Sequence, residues 1–65
     1  MLLRPAYGDI PLFTSMEDDD VPPVILPLGA LLLFLERGTG HLEHYSKVIW
    51  AGQVGWVYNH NVDEI

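Results

Sequence analysis

The chain has 65 residues, nine of them acidic and three basic, a formal charge of −6, and no cysteine. Such a surface repels polyanions, because nucleic-acid affinity comes mostly from Lys and Arg displacing counterions at phosphates, and an anionic membrane surface is disfavoured for the same reason. Disulfides and thiolate zinc sites are excluded outright, while a hydrophobic content of 49% suffices for the core of one domain over residues 1–65.

Met1-Leu2-Leu3-Arg4-Pro5 has neither the apolar core nor the small-residue cleavage site of a signal peptide. Residues 1–7 read as an N-terminal extension or a first strand. Ile10-Pro11-Leu12-Phe13-Thr14 is rich in β-formers, and Pro11 suits an edge position because it cannot donate to a ladder. Residues 16–23 form an acidic, Pro-rich loop: Glu17, Asp18, Asp19 and Asp20 repel one another, and Pro22-Pro23 resists both helix and central strand. Val24-Ile25-Leu26 is a brief apolar segment ending at Pro27, and Leu28-Gly29 reads as a turn.

Ala30-Leu31-Leu32-Leu33-Phe34-Leu35-Glu36 could be helical on leucine propensity. Its shortness and the glycines on both sides predict a strand, since so short a helix has little stability of its own. Tyr45–Ala51 and Val54–Tyr58 predict two strands of a hairpin. Gly52-Gln53 supplies its two-residue turn, with Gly at the first central position as in a type II′ turn. Asn59-His60-Asn61 reads as a turn, followed by a short last strand over Val62–Ile65. The sum is an all-β chain: a small five-stranded barrel with a long acidic loop between its first and second strands. Closure is favoured because it removes exposed sheet edges. The stretch from Val21 to Leu35 is too short and too broken by proline to cross a bilayer as a helix, so a cytoplasmic location is expected.

Four blocks carry a resemblance: Pro11-Leu12-Phe13, Pro27-Leu28-Gly29-Ala30, Tyr45-Ser46-Lys47-Val48 and Gly52-Gln53-Val54-Gly55-Trp56-Val57. In this order, over roughly residues 8–65, the chain resembles the bacterial SH3-like domains. Those domains run from an early strand through a long irregular loop to a Pro-x-Gly step, a Tyr-x-Lys-Val strand and a Gly-x-x-Gly-Trp-Val segment. The resemblance implies an SH3-type small barrel that acts as a binding module. A free-standing acidic barrel of this size suits a phage-encoded or plasmid-encoded accessory protein working in the host cytoplasm.

The candidate contact residues fall in three groups. Tyr45, Trp50, Trp56 and Tyr58, with Tyr7, are large amphipathic anchors for an extended peptide. Val54, Trp56 and Tyr58 share one strand face, with Gly55 and Val57 on the other. One face of every strand must fill the barrel, so about half of the aromatics are expected inside it. Leu31, Leu33 and Leu35 lie on one strand face and Leu32 and Phe34 on the opposite one, without the polar alternation of a half-buried strand. An outer apolar face implies a subunit or partner interface, unless Met1–Tyr7 folds over it. Glu17, Asp18, Asp19 and Asp20 offer a patch for basic residues of a partner, or a solvated charge run. A helix-flanked calcium loop would need a bidentate Glu at its twelfth position, and counted from Asp18 that position is Gly29, so the motif is absent. His41, His44 and His60 read as surface residues rather than metal ligands, and no cofactor is implied.

Catalytic chemistry finds no motif. There is no cysteine nucleophile, no Gly-x-Ser-x-Gly elbow and no phosphate-cradling loop. The expected function is a non-enzymatic interaction module with a protein or peptide partner. The alternatives are a structural subunit of an oligomer or phage-like particle, or an acidic inhibitor of a host enzyme that handles nucleic acid. A homo-oligomer is the second partner class.

Overall fold

The computed structural model describes residues 1–18 and 20–65. Seven strands appear in the order β1 (Leu2–Pro5), β2 (Ile10–Leu12), β3 (Val24–Leu26), β4 (Leu32–Arg37), β5 (Tyr45–Trp50), β6 (Gln53–Tyr58) and β7 (Val62–Glu64). Single 3-10 turns at Gly40–Leu42 and Asn59–Asn61 precede β5 and β7. There is no α-helix among the described residues, and no helix long and apolar enough to cross a membrane. The leucine-rich run is therefore a strand, as its glycine boundaries predict.

All pairing is antiparallel. Five strands make one sheet in the order β6-β5-β4-β1-β7, and β2 pairs with β3 in a small second sheet. The five-stranded sheet is open, with β6 and β7 at its ends, rather than closed by its own ladder. The second sheet reaches the β6 edge through a bridge between Phe13 and Trp56, each N–H donating to the other's carbonyl at 2.8 Å. Seven strands replace the expected five for a local reason. Leu2–Pro5 and Val24–Leu26 are too short to show alternation, and become strands only because β4 and β2 lie beside them. The acidic loop accordingly joins the second and third strands.

The core consists of Leu3, Ile10, Leu12, Leu26, Ala30, Leu32, Val48 and Val57, with Val24, Phe34, Trp50 and Val62 packed around it. No aromatic side chain among the described residues is fully buried. This corrects the expectation that the barrel interior absorbs half of the aromatics. The interior is closed down by Gly55, where a Cβ atom would stand 2.8 Å from Leu12 Cγ and 2.9 Å from the Phe13 carbonyl oxygen. Backbone and aliphatic side chains fill the space that rings would need. On β6 it is therefore Gly55 and Val57 that face in, while Val54, Trp56 and Tyr58 face out.

The hairpin turn is also corrected. Trp50 pairs with Gln53, so the two turn residues are Ala51 and Gly52 rather than Gly52 and Gln53. Both have positive φ, 51° and 79°, which is the type I′ geometry whose twist matches the flanking strands. An L-residue other than Gly or Asn pays for this with about 1–2 kcal/mol. The register compensates: it sets Tyr45 opposite Tyr58 and leaves Trp56 free to bridge to Phe13. At the other predicted turn the expectation holds. Ala30 N–H donates to the Pro27 carbonyl across Leu28-Gly29, with Gly29 at φ 99°.

Ala51→Asn relieves the backbone strain and supplies the Asn-Gly pair that type I′ turns favour. A gain of about 1 kcal/mol is expected, read as a Tm increase of roughly 4–8 °C. Gly55→Ala drives a methyl into Leu12 and the Phe13 carbonyl, and a loss of about 1–3 kcal/mol in urea unfolding is expected.

Candidate functional site

Alternation along the β5–β6 hairpin sorts its side chains onto two faces. Ser46, Val48 and Trp50 face the core side, whereas Tyr45, Lys47 and Ile49 face outward with Val54, Trp56 and Tyr58. The outer face is graded along the strands. Tyr45 and Tyr58 occupy one end, Lys47 and Trp56 the middle, and Ile49 and Val54 the turn end.

At the first end the rings form a connected strip. Tyr45 and Tyr58 stack with centroids 5.3 Å apart and planes at 24°. Phe13 meets Tyr45 edge-on at 6.3 Å. His60 and His44 meet Tyr58 edge-on at 5.3 and 6.5 Å. Such offset and edge-to-face pairs contribute about 0.5–1.5 kcal/mol each beyond burial, so the strip is a preorganised surface rather than loose side chains. Lys47 Nζ lies 5.9 Å from the Trp56 ring centroid and 3.9 Å from Glu36 Oε1.

Beside the strip lies the acidic loop. Ser15 Oγ accepts the Asp18 N–H at 3.3 Å, and Asp18 Oδ1 accepts the Asp20 N–H at 3.0 Å. Val21 N–H donates back to the Asp18 carbonyl at 3.3 Å. One carboxylate thus shapes the loop locally, as Asp does in turns. A surface cavity of about 240 Å³ opens between loop and strip, lined by Ser15, Met16, Asp18, Val21, Pro22 and Pro23 on the loop and by Phe13 and Tyr45. Among the described residues no group of three or more His, Asp or Glu side chains is placed to hold a metal ion.

The expected contact residues are thereby divided. Tyr45 and Tyr58 belong to the strip, Asp18 lines the cavity, and Glu17 and Asp20 are exposed on the same loop. Asp19 lies outside the described residues. Trp56 stands on the same outer face next to Lys47. Trp50 leaves the set, because it packs against the core from the inner face. Tyr7 also leaves it, its hydroxyl donating to Asn61 Oδ1. Leu31, Leu33 and Leu35 are all exposed. Met1–Tyr7 does not fold over them: β1 pairs edge to edge with β4 and lies in the sheet beside that face.

Sequence reasoning passed over Phe13 and the loop residues Met16 and Val21, and read His44 and His60 as surface residues without a place beside the aromatics. A signal for Phe13 existed. Ile10 and Leu12 alternate inward, so Pro11 and Phe13 belong to the other face. Ser46 was passed over as well. It is the buried polar residue among those described, and its hydroxyl donates to Asn59 Oδ1 at 2.5 Å. Asn59 also donates its backbone N–H to the His44 carbonyl at 2.8 Å and Nδ2 to the Glu43 carbonyl at 3.3 Å. These bonds fix the turn that carries His60 against the start of β5, and so hold the strip together.

Comparison with protein-family models, with curated proteins and with solved structures finds no match for this chain.

Ser46→Ala removes the bond to Asn59 without changing volume much. A stability loss of about 1 kcal/mol is expected in chemical denaturation, together with shifted His44 and His60 ring resonances.

Proposed function

We propose that this chain is a non-enzymatic interaction module of the SH3-type small-barrel architecture, binding an extended segment of a partner protein that carries Lys or Arg. One observation carries the reading. The cavity beside Tyr45 is lined jointly by the aromatic strip and by the acidic loop. Aromatic side chains supply large contact area at low entropic cost, which is why Tyr and Trp dominate binding hot spots. The loop supplies negative charge that steers a basic segment toward them. A groove of this kind suits main chain and spaced side chains rather than a small substrate.

The architecture is supported by the connectivity. β4, β5 and β6 form a meander, and β7 returns beside β1 after a 3-10 turn. The bulge between Phe34 and Glu36 lets β4 bend, as strands at barrel corners do. The β2–β3 hairpin with its acidic loop takes the place of the long irregular loop in the resemblance.

The test is selection of peptides from a displayed random library. Enrichment of sequences with basic residues beside apolar ones is expected. Tyr45→Ala is expected to weaken the selected peptides about thirty-fold, as for a hot-spot aromatic. Glu17→Gln with Asp18→Asn and Asp20→Asn should flatten the salt dependence of binding, since Asn still accepts the Asp20-side backbone bond. No enrichment, or binding indifferent to both changes, would sink the reading.

A further inference from the structure

The strand registers line up one apolar row across the whole outer face of the five-stranded sheet. Leu2 on β1 pairs with Leu33 on β4, Leu33 with Ile49 on β5, and Ile49 with Val54 on β6. Ile65 extends the row beyond β7, its N–H donating to the Leu2 carbonyl at 3.0 Å. Leu2, Leu33, Val54 and Ile65 are 44%, 46%, 43% and 61% exposed, and Leu35 and Leu31 beside them 44% and 59%. Monomers seldom expose a contiguous apolar patch of more than a few hundred Å².

Charge identifies what fits this face. The row is flanked on one side by Arg4, paired in register with Asp63, and on the other by Lys47, 3.9 Å from Glu36. Two of the three basic residues of the chain therefore lie here, each beside one acidic residue. Those four cancel. Among the described residues six acidic residues and one basic residue, Arg37, lie elsewhere, so the excess negative charge of the described residues is carried off this face. A basic partner is drawn to the rest of the molecule, not here. A second copy that approaches this face meets a surface balanced in side-chain charge.

We propose that the Leu2–Leu33–Ile49–Val54 row is the centre of a symmetric, face-to-face dimer of this chain. A two-fold axis running along the strands between β4 and β5 sets Leu33 of one copy against Ile49 of the other, and Leu2 against Val54. The same axis sets Glu36 of each copy against Lys47 of the other, so one polar flank is complementary to itself, as an isologous interface requires. Five strands about 4.8 Å apart make a face about 24 Å wide, packed about 10 Å from its mate, which matches the 28 × 22 × 20 Å extent of the chain. Such a face buries on the order of 600–800 Å² per copy, near the size of a specific interface. The aromatic strip lies toward the other end of the hairpin, so the dimer presents two grooves. The dimer does not depend on what those grooves bind.

Sedimentation equilibrium at micromolar concentration tests the proposal. The unaltered chain is expected to show a dimer mass, and Leu33→Lys to raise its dissociation constant about thirty-fold with an unchanged circular dichroism spectrum. Lys47→Glu and Glu36→Lys chains are each expected to dimerise more weakly alone and to pair with one another on mixing. This arm stands even if Leu33→Lys fails to fold. A monomer mass for the unaltered chain, a mass above the dimer, or charge variants that show no preference for each other would overturn it.

Discussion

The close approach of Leu12 and the Phe13 carbonyl to Gly55 sets the scale of everything else in this molecule. With 65 residues, a domain buries only about 60% of its unfolded surface. Here the two sheets meet so tightly that Ser46 and aliphatic side chains alone are fully buried among the described residues, with Phe34 and Trp50 packed around them. Every ring is forced to the periphery or the outside. The aromatic strip is thus a consequence of core size. Tyr45 and Tyr58 stack, with Phe13 edge-on to Tyr45, at the surface because no room exists for them beneath it.

The same constraint produces the apolar row. A sheet with a single filled side leaves its other side to solvent unless a second layer covers it. Residues 1–7 do not form that layer, because β1 is needed within the sheet to join β4 to β7. The outer face therefore divides by position along the strands. Rings and acidic loop gather at one end, and Leu, Ile and Val at the other. The proposed groove and the proposed dimer interface can coexist because they occupy different regions of this face.

Much of the fold was legible in the sequence because it rests on local signals. The strands β4, β5 and β6, the Leu28-Gly29 turn and the grouping of Leu31, Leu33 and Leu35 apart from Leu32 and Phe34 follow from alternation and glycine placement. The hairpin turn was misplaced by one residue because Gly52 suits either two-residue loop. Only pairing across the hairpin, with Tyr45 stacked on Tyr58, decides between them. The three-residue strand β3 was not legible and β1 was left open between an extension and a strand, since both exist by virtue of a remote partner. Of the site, Tyr45, Tyr58 and Asp18 were found from residue type. Phe13 was passed over although alternation set it apart from Ile10 and Leu12, and the cavity was not legible because it depends on the bridge to Trp56.

By itself, the sequence determined an all-β chain, an acidic surface without cysteine chemistry, and which residues share a strand face. Those properties depend on composition and on the two-residue period of a strand, which need no knowledge of the fold. Tertiary structure alone decided which of the two faces is inside. Alternation is symmetric and assigns no sign; Gly55, by admitting Leu12 and the Phe13 backbone, turned Val57 inward and Trp56 and Tyr58 outward. That choice, made by packing between segments some forty residues apart, placed both the groove and the apolar row on the outer surface.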